Sequence, residues 1–328
     1  MGLENKKVKK AALLIFKAAV SSTLLIYLFS KVGGTAVIEN AILLSPAHFG
    51  TAVALYLFAT YLSSLRWKLL IPQPVGTRRL FSMYIVGSFF NICLPGLIGG
   101  DAVKAYYLSR ELKQPSSNAD ISIPSTGSMA IASVFMDRYI GLAALLFIGL
   151  TAFPAGFELL RKASMTWALP VIFAAFVATS VLLFRFRFGE RFKLLVGVYD
   201  CFNYYFTKQH VLMKSFLYSI AIQFIGMLSV YVLARGMSLD VTLLSLLIFL
   251  PMIILISMIP VSISGLGIRE GAFVFFLGTT GVPPEKAMTL SILWFLSVVV
   301  AGLWGLIEYL RFKQLFGSGI KEEPFQVR

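Results

Sequence analysis

The sequence has 328 residues, of which 58% are hydrophobic and 13% charged. Soluble domains carry about 25% charged residues, so a chain this apolar excludes an ordinary water-soluble core. Its 29 Lys and Arg against 15 Asp and Glu give a net charge of +14. The basic residues collect at the ends of apolar runs: Lys6, Lys7, Lys9 and Lys10; Arg66, Lys68, Arg78 and Arg79; Arg185, Arg187, Arg191 and Lys193. That is the positive-inside pattern of a membrane protein, with attraction to anionic lipid headgroups, and not a nucleic-acid-binding face.

In chain order, the run 11–29 follows a basic start of ten residues, 1–10, expected in the cytoplasm. It is long enough to span, and Ser30-Lys31-Val32 is no small-residue cleavage site, so it reads as a first transmembrane helix and not a signal peptide. Runs 46–65, 129–153, 167–184, 211–233 and 287–310 are each expected to reach the roughly 20 residues that cross hydrocarbon. Two regions behave differently. Region 80–112 is interrupted at Pro95, Gly96, Gly99 and Gly100, and region 241–281 at Pro260, Gly265 and Gly267. Segment 114–128, rich in Ser, Pro, Asn and Gly, reads as a cytoplasmic linker, and 313–328 as a cytoplasmic tail.

Charge sets direction. With the N-terminus, 66–79, 185–193 and the tail all inside, 80–112 must enter and leave from the cytoplasmic face, and 241–281 from the outer face. The expected fold is all-α and polytopic. It has about six full transmembrane helices plus two oppositely oriented re-entrant half-helix hairpins, arranged as an inverted repeat within one domain over 11–312. Irregular backbone at membrane depth persists only when it is buried in protein or lines a polar cavity, so both breaks point to a site.

The first break carries Asn91, Pro95, Gly99, Gly100, Asp101 and Lys104. The glycines permit tight turns, Asp101 suits an N-cap, and an open half-helix N-terminus attracts an anion such as phosphate. Lys104, one turn on, adds a full charge; the plain alternative is a cap and a snorkelling lysine. The second break repeats the order Pro, Gly pair, acid: Pro260, Ser262, Ser264, Gly265, Gly267, Arg269, Glu270. Its two serines suit a headgroup or the broken backbone itself. Asp137-Arg138 sits inside an apolar run, where adjacent opposite charges are costly unless they face a polar interior, and Arg138 suits a bidentate phosphate contact. The alternative is a structural pair near the cytoplasmic end. Arg66-Trp67-Lys68 reads as an interfacial anchor, with Arg66 facing the cavity as the alternative, and Arg235 and Glu308 as ordinary helix-end charges. His48, His210, Cys93 and Cys201 show no metal spacing, and no nucleotide motif is present, so no cofactor is expected.

Taken together, Asn91…Leu94-Pro95…Gly99-Gly100-Asp101…Lys104, Asp137-Arg138…Gly141-Leu142 and Pro260…Gly265-Leu266-Gly267…Glu270 resemble the flippase-like membrane domain of the lysylphosphatidylglycerol synthase family, over roughly the whole of 11–312. The resemblance implies a polytopic domain that moves a lipid with a modified headgroup between leaflets. Family members that also make the lipid carry an additional soluble aminoacyl-transfer domain. The chain stops at Arg328 without one, so lysyl transfer is not expected. Where the family commonly has Arg, this chain has Lys104, which keeps the charge and loses the fork.

The expected function is translocation of a phospholipid or lipid-linked headgroup through a mid-membrane polar cavity in the cell membrane, by a protein that is not an enzyme. Lys104, Arg138 and Arg269 would replace water around a phosphate. Asp101, Asp137 and Glu270 would balance them, bind an amine or carry a proton. Two alternatives stand beside it: a membrane-embedded transferase on lipid-linked substrates, and a non-catalytic partner of a lipid-modifying enzyme. The expected partners are membrane lipids (anionic or aminoacylated phospholipid, or polyprenyl-linked lipid), a second copy of the chain, or a lipid-synthesising enzyme.

Overall fold

The structure, a computed structural model, describes residues 2–93, 99–112, 126–185, 205 and 207–317. Pro95 and Gly96, most of the linker at 114–128 and nearly all of the basic segment 185–193 lie outside these residues. The regular structure among the described residues is all helix, joined by turns, with no strand among them. In chain order the helices are α1 (Gly2–Val32), α2 (Gly34–Ile42), α3 (Pro46–Leu69), α4 (Thr77–Cys93), α5 (Gly99–Leu112), α6 (Thr126–Ala152), α7 (Phe157–Lys162) and α8 (Ala168–Arg185). After these come α9 (Gln209–Gly236), α10 (Leu243–Ser257), α11 (Ile268–Gly278) and α12 (Pro284–Gly317).

Each of the six apolar runs of the sequence is helical. Four helices among the described residues, α1, α6, α9 and α12, are long and apolar enough to cross a membrane, and the bent pair α2–α3 makes a fifth if it counts as one span. The two arms of that pair meet at 88°. With 24 residues α3 is long enough alone. Its apolarity is diluted by a buried polar face of Thr60, Ser63, Ser64 and Arg66. The apolar stretch of α8, Ala168–Leu182, is shorter than a full span.

Large side chains face outward where lipid would be: Ile15 and Phe16 on α1, Val171 and Val181 on α8, Leu303 and Trp304 on α12 are all exposed. Between helices in lipid there is little hydrophobic driving force, so close packing of small residues takes over. On α12, a Cβ added at Gly305 would lie 2.3 Å from the Ile85 carbonyl oxygen of α4. One added at Gly302 would lie 2.5 Å from the Ile92 side chain. These glycines let α12 lie directly on α4.

The two broken regions each form a packed helix pair, α4 with α5 and α10 with α11. Gly87 and Gly100 bring the first pair into backbone contact, because a Cβ on Gly100 would sit only 1.9 Å from the Gly87 oxygen. The second pair turns through Ser264, Gly265 and Gly267, whose φ values of 51°, 76° and 84° lie in the left-handed region. Two apolar clusters surround these pairs. One includes Trp67, Leu80, Met83 and Leu108 around α4–α5. The other includes Phe249, Ile253, Phe273 and Phe276 around α10–α11.

Candidate functional site

Polar side chains from α3, α4, α5, α6 and α9 converge beside the first break. Asp137 of α6 is fully buried and accepts from Arg66 Nε of α3 at 2.8 Å. Arg66 Nη2 also lies 2.8 Å from the same carboxylate oxygen, and Nη1 donates to Ser219 Oγ of α9 at 2.8 Å. The second Asp137 oxygen accepts from Tyr84 OH at 3.1 Å and lies 3.7 Å from Lys104 Nζ. Lys104, 1% exposed, lies 3.2 Å from Asp101 Oδ1 without the geometry of a directed hydrogen bond. Its ammonium rests 4.2 Å from the Tyr84 ring centre and 5.4 Å from that of Trp67. Two carboxylates and two ring faces thus offset the cost of burying an ammonium at this depth.

Asp101 is also bound by Arg138, whose Nε and Nη2 donate at 2.9 and 3.0 Å in a bidentate pair. Among the described residues Nη1 of Arg138 has no protein partner. Arg138 is the accessible end of the cluster: its side chain is 52% exposed against 15% for Asp101.

Arg138 lines two adjoining cavities of about 390 and 400 Å³, within the range of ligand pockets. Ser63, Tyr84, Ile222 and Gln223 are common to both linings, so the cavities share a wall. The first reaches both breaks. Asn91 at the end of α4 lines it, and so do Ser264 and Arg269 at the second break. The second is walled by Arg66, Asp137, Tyr139 and Met258 among others.

The second break is locally neutral. Glu270, 1% exposed, accepts from Arg269 Nη2 at 2.5 Å and from Ser291 Oγ at 3.2 Å. Its other oxygen accepts the Gly267 N–H at 2.7 Å, tying the carboxylate to the start of α11. Arg269 lies 4.5 Å from the centre of the Phe295 ring. Ser264 Oγ is buried beside the cavity without a protein partner among the described residues. Ser262 is buried too, and does not line the cavity.

The breaks are alike in pairing an acid with an arginine: Asp101 with Arg138 and Glu270 with Arg269. Gly99 and Gly100 are already helical, so Asp101 lies inside α5 and is not an N-cap. Asn91 supplies the capping oxygen instead, accepting from the Gly100 N–H at 3.0 Å. Lys104, expected against a headgroup, stands behind Asp101 and lines neither cavity.

Asn91, Arg138, Ser264 and Arg269 therefore share one cavity. Asp101, Lys104, Gly99 and Gly100 lie behind it, and Pro95 lies outside the described residues. Arg66 follows the alternative reading and not that of an interfacial anchor: it is 5% exposed, bound to Asp137, and lines the second cavity. Tyr84, Ser219 and Gln223 belong to the cluster or its cavity wall without any sequence motif to announce them. Among the described residues no three His, Cys, Asp or Glu side chains assemble as a metal-ligand set.

This arrangement sits inside a stretch with known relatives. The model of the lysylphosphatidylglycerol synthase TM region matches residues 14–305. The chain belongs to that family. Within it, the chain is 26% identical to a UPF0104 membrane protein of Methanothermobacter thermautotrophicus, over 96% of this chain and 98% of the relative. It is 21% identical to the UPF0104 membrane protein MJ1595 of Methanocaldococcus jannaschii, over 94% and 96% respectively. A second Methanothermobacter UPF0104 membrane protein is 24% identical over 70% of this chain. Family and apolar helices together make this a multi-pass membrane protein.

Proposed function

We propose that the protein moves a phospholipid or lipid-linked headgroup between leaflets through the cavity that joins its two helix breaks. The observation that carries this reading is one cavity lined by Asn91 and Arg138 from the first broken region and by Ser264 and Arg269 from the second, set among apolar side chains. Arg138 and Arg269 offer charge, and Asn91, Gln223 and Ser264 offer hydrogen bonds, in place of the water that a headgroup leaves behind. The lipid chains stay in the bilayer.

The topology in this reading has six full spans, counting α3 and α8, and both termini in the cytoplasm of a cell-membrane protein. The pairs α4–α5 and α10–α11 dip in from opposite faces. The lengths in the second pair support this. With 15 and 11 residues, α10 and α11 extend about 22 and 16 Å, against a hydrocarbon thickness of about 30 Å. A rocking motion of one pair against the other would expose the cavity to each leaflet in turn.

The test uses purified protein in unilamellar vesicles doped with headgroup-labelled lipid, with an impermeant reductant bleaching the outer leaflet. Bleaching beyond the outer-leaflet half, for at least one of the anionic, zwitterionic or polyprenyl-linked classes, is expected. Bleaching that matches protein-free vesicles for all three classes overturns the proposal.

A further inference from the structure

Five charged side chains form one alternating row. Arg66 meets Asp137 at 2.8 Å, Asp137 meets Lys104 at 3.7 Å, Lys104 meets Asp101 at 3.2 Å, and Asp101 meets Arg138 at 2.9 Å. The row begins and ends on a cation, so three positive groups face two carboxylates and one positive charge is in excess. That excess emerges at one end. The side chains of Arg66, Asp137 and Lys104 are 5%, 0% and 1% exposed, whereas that of Arg138 is 52% exposed and lines both cavities. Asp101 takes the Nε–Nη2 edge of the Arg138 guanidinium, which leaves Nη1 without a protein partner among the described residues. The other arginine on the cavity leaves the count unchanged, because Glu270 balances Arg269 at 2.5 Å.

We infer that the cavity takes a single monoanionic oxyanion on the open edge of Arg138, as the sixth member of this row. Asp101 and Lys104 set its affinity through their charge although neither lines the cavity. The inference rests on the translocation reading for the identity of the cavity and adds the charge of the headgroup it accepts. A phosphodiester carries one negative charge and presents two oxygens to a guanidinium edge. A phosphomonoester or diphosphate would bring a second negative charge for which the row holds no further excess cation.

The consequence is an unusual order of variants. Lys104→Met removes the excess charge and should weaken binding of a phosphodiester by about tenfold or more. Asp101→Asn raises the excess and should tighten it severalfold. The double variant Lys104→Met/Asp101→Asn restores the wild-type excess and should bind within about threefold of wild type. A merely structural role for the Asp101–Lys104 contact predicts weakening in all three.

The experiment titrates each protein, in a neutral detergent at about pH 8, with short-chain phosphatidylglycerol (a phosphodiester) and short-chain phosphatidic acid (a phosphomonoester). Dimethyl phosphate serves as the free anion and short-chain phosphatidylcholine as the zwitterion. The readout is tryptophan fluorescence, since Trp294 lines the cavity. One phosphatidylglycerol per wild-type chain, bound more tightly than phosphatidic acid, together with the opposed signs of the two single variants, supports the inference. Weakening in both single variants without recovery in the double, or preference for phosphatidic acid, overturns it and leaves translocation standing. Wild-type protein that binds none of the lipids overturns both readings. Dimethyl phosphate bound as tightly as phosphatidylglycerol keeps the row but assigns its sixth place to a free anion. If a variant does not purify folded, the wild-type stoichiometry and diester preference still decide.

Discussion

Asp137 is the residue on which the cluster turns, since Arg66, Tyr84 and Lys104 all reach it. Asp137→Asn keeps the shape and removes the charge, leaving two buried cations short of a partner. Breaking a buried pair in this way costs about 3–5 kcal/mol. A large fall in melting temperature in detergent is therefore expected. Arg311→Ala at the exposed Arg311–Glu308 pair, where Arg311 is 62% exposed, should cost no more than about 1 kcal/mol. Equal shifts in the two variants would show that the cluster contributes no more than a surface pair. Part of this cluster is legible in the sequence, because Asp137-Arg138 stands out against its apolar run. Arg66 is ambiguous: beside Trp67 and Lys68 at a helix end it has the composition of an interfacial anchor, and its bonds to Asp137 of α6 and Ser219 of α9 turn it inward instead. Tyr84, Ser219 and Gln223 are uncharged and carry little signal singly.

The helix pair α4–α5 depends on glycine where its backbones touch. Gly100→Ala would set a Cβ 1.9 Å from the Gly87 oxygen, a backbone atom that cannot swing aside. The helices must part, Asp101 and Lys104 shift with α5, and a loss of roughly 1–3 kcal/mol is expected. Gly278→Ala, at the end of α11 with nothing within 4 Å of the added Cβ, should be neutral or slightly stabilising. Thermal melts of both variants check this; comparable losses would mean that close approach at Gly100 is not limiting. Among the elements, hydropathy locates all six apolar runs, and Gly and Pro mark both breaks. The likeness between the breaks is harder to read. Counted from Pro95 and Pro260 the acidic residues fall at different spacings, yet each pairs with an arginine. Those pairings follow from packing and turn geometry, such as the left-handed Ser264, Gly265 and Gly267, which proline spacing does not encode.

At the scale of the molecule, a cavity with two arginines in its wall lies between two apolar clusters, each built around one broken helix pair. The account stands on the headgroup passing through this cavity. Gly226 of α9 lines it, and an added Cβ there meets nothing within 4 Å, so Gly226→Cys places a thiol in the path without disturbing the fold. The measurement is lipid exchange in vesicles by this variant, with Cys93 and Cys201 changed to serine, before and after reaction with a bulky methanethiosulfonate. Exchange should collapse on modification and return when the adduct is reduced. Complete modification by mass, with the exchange rate unchanged, would contradict the account.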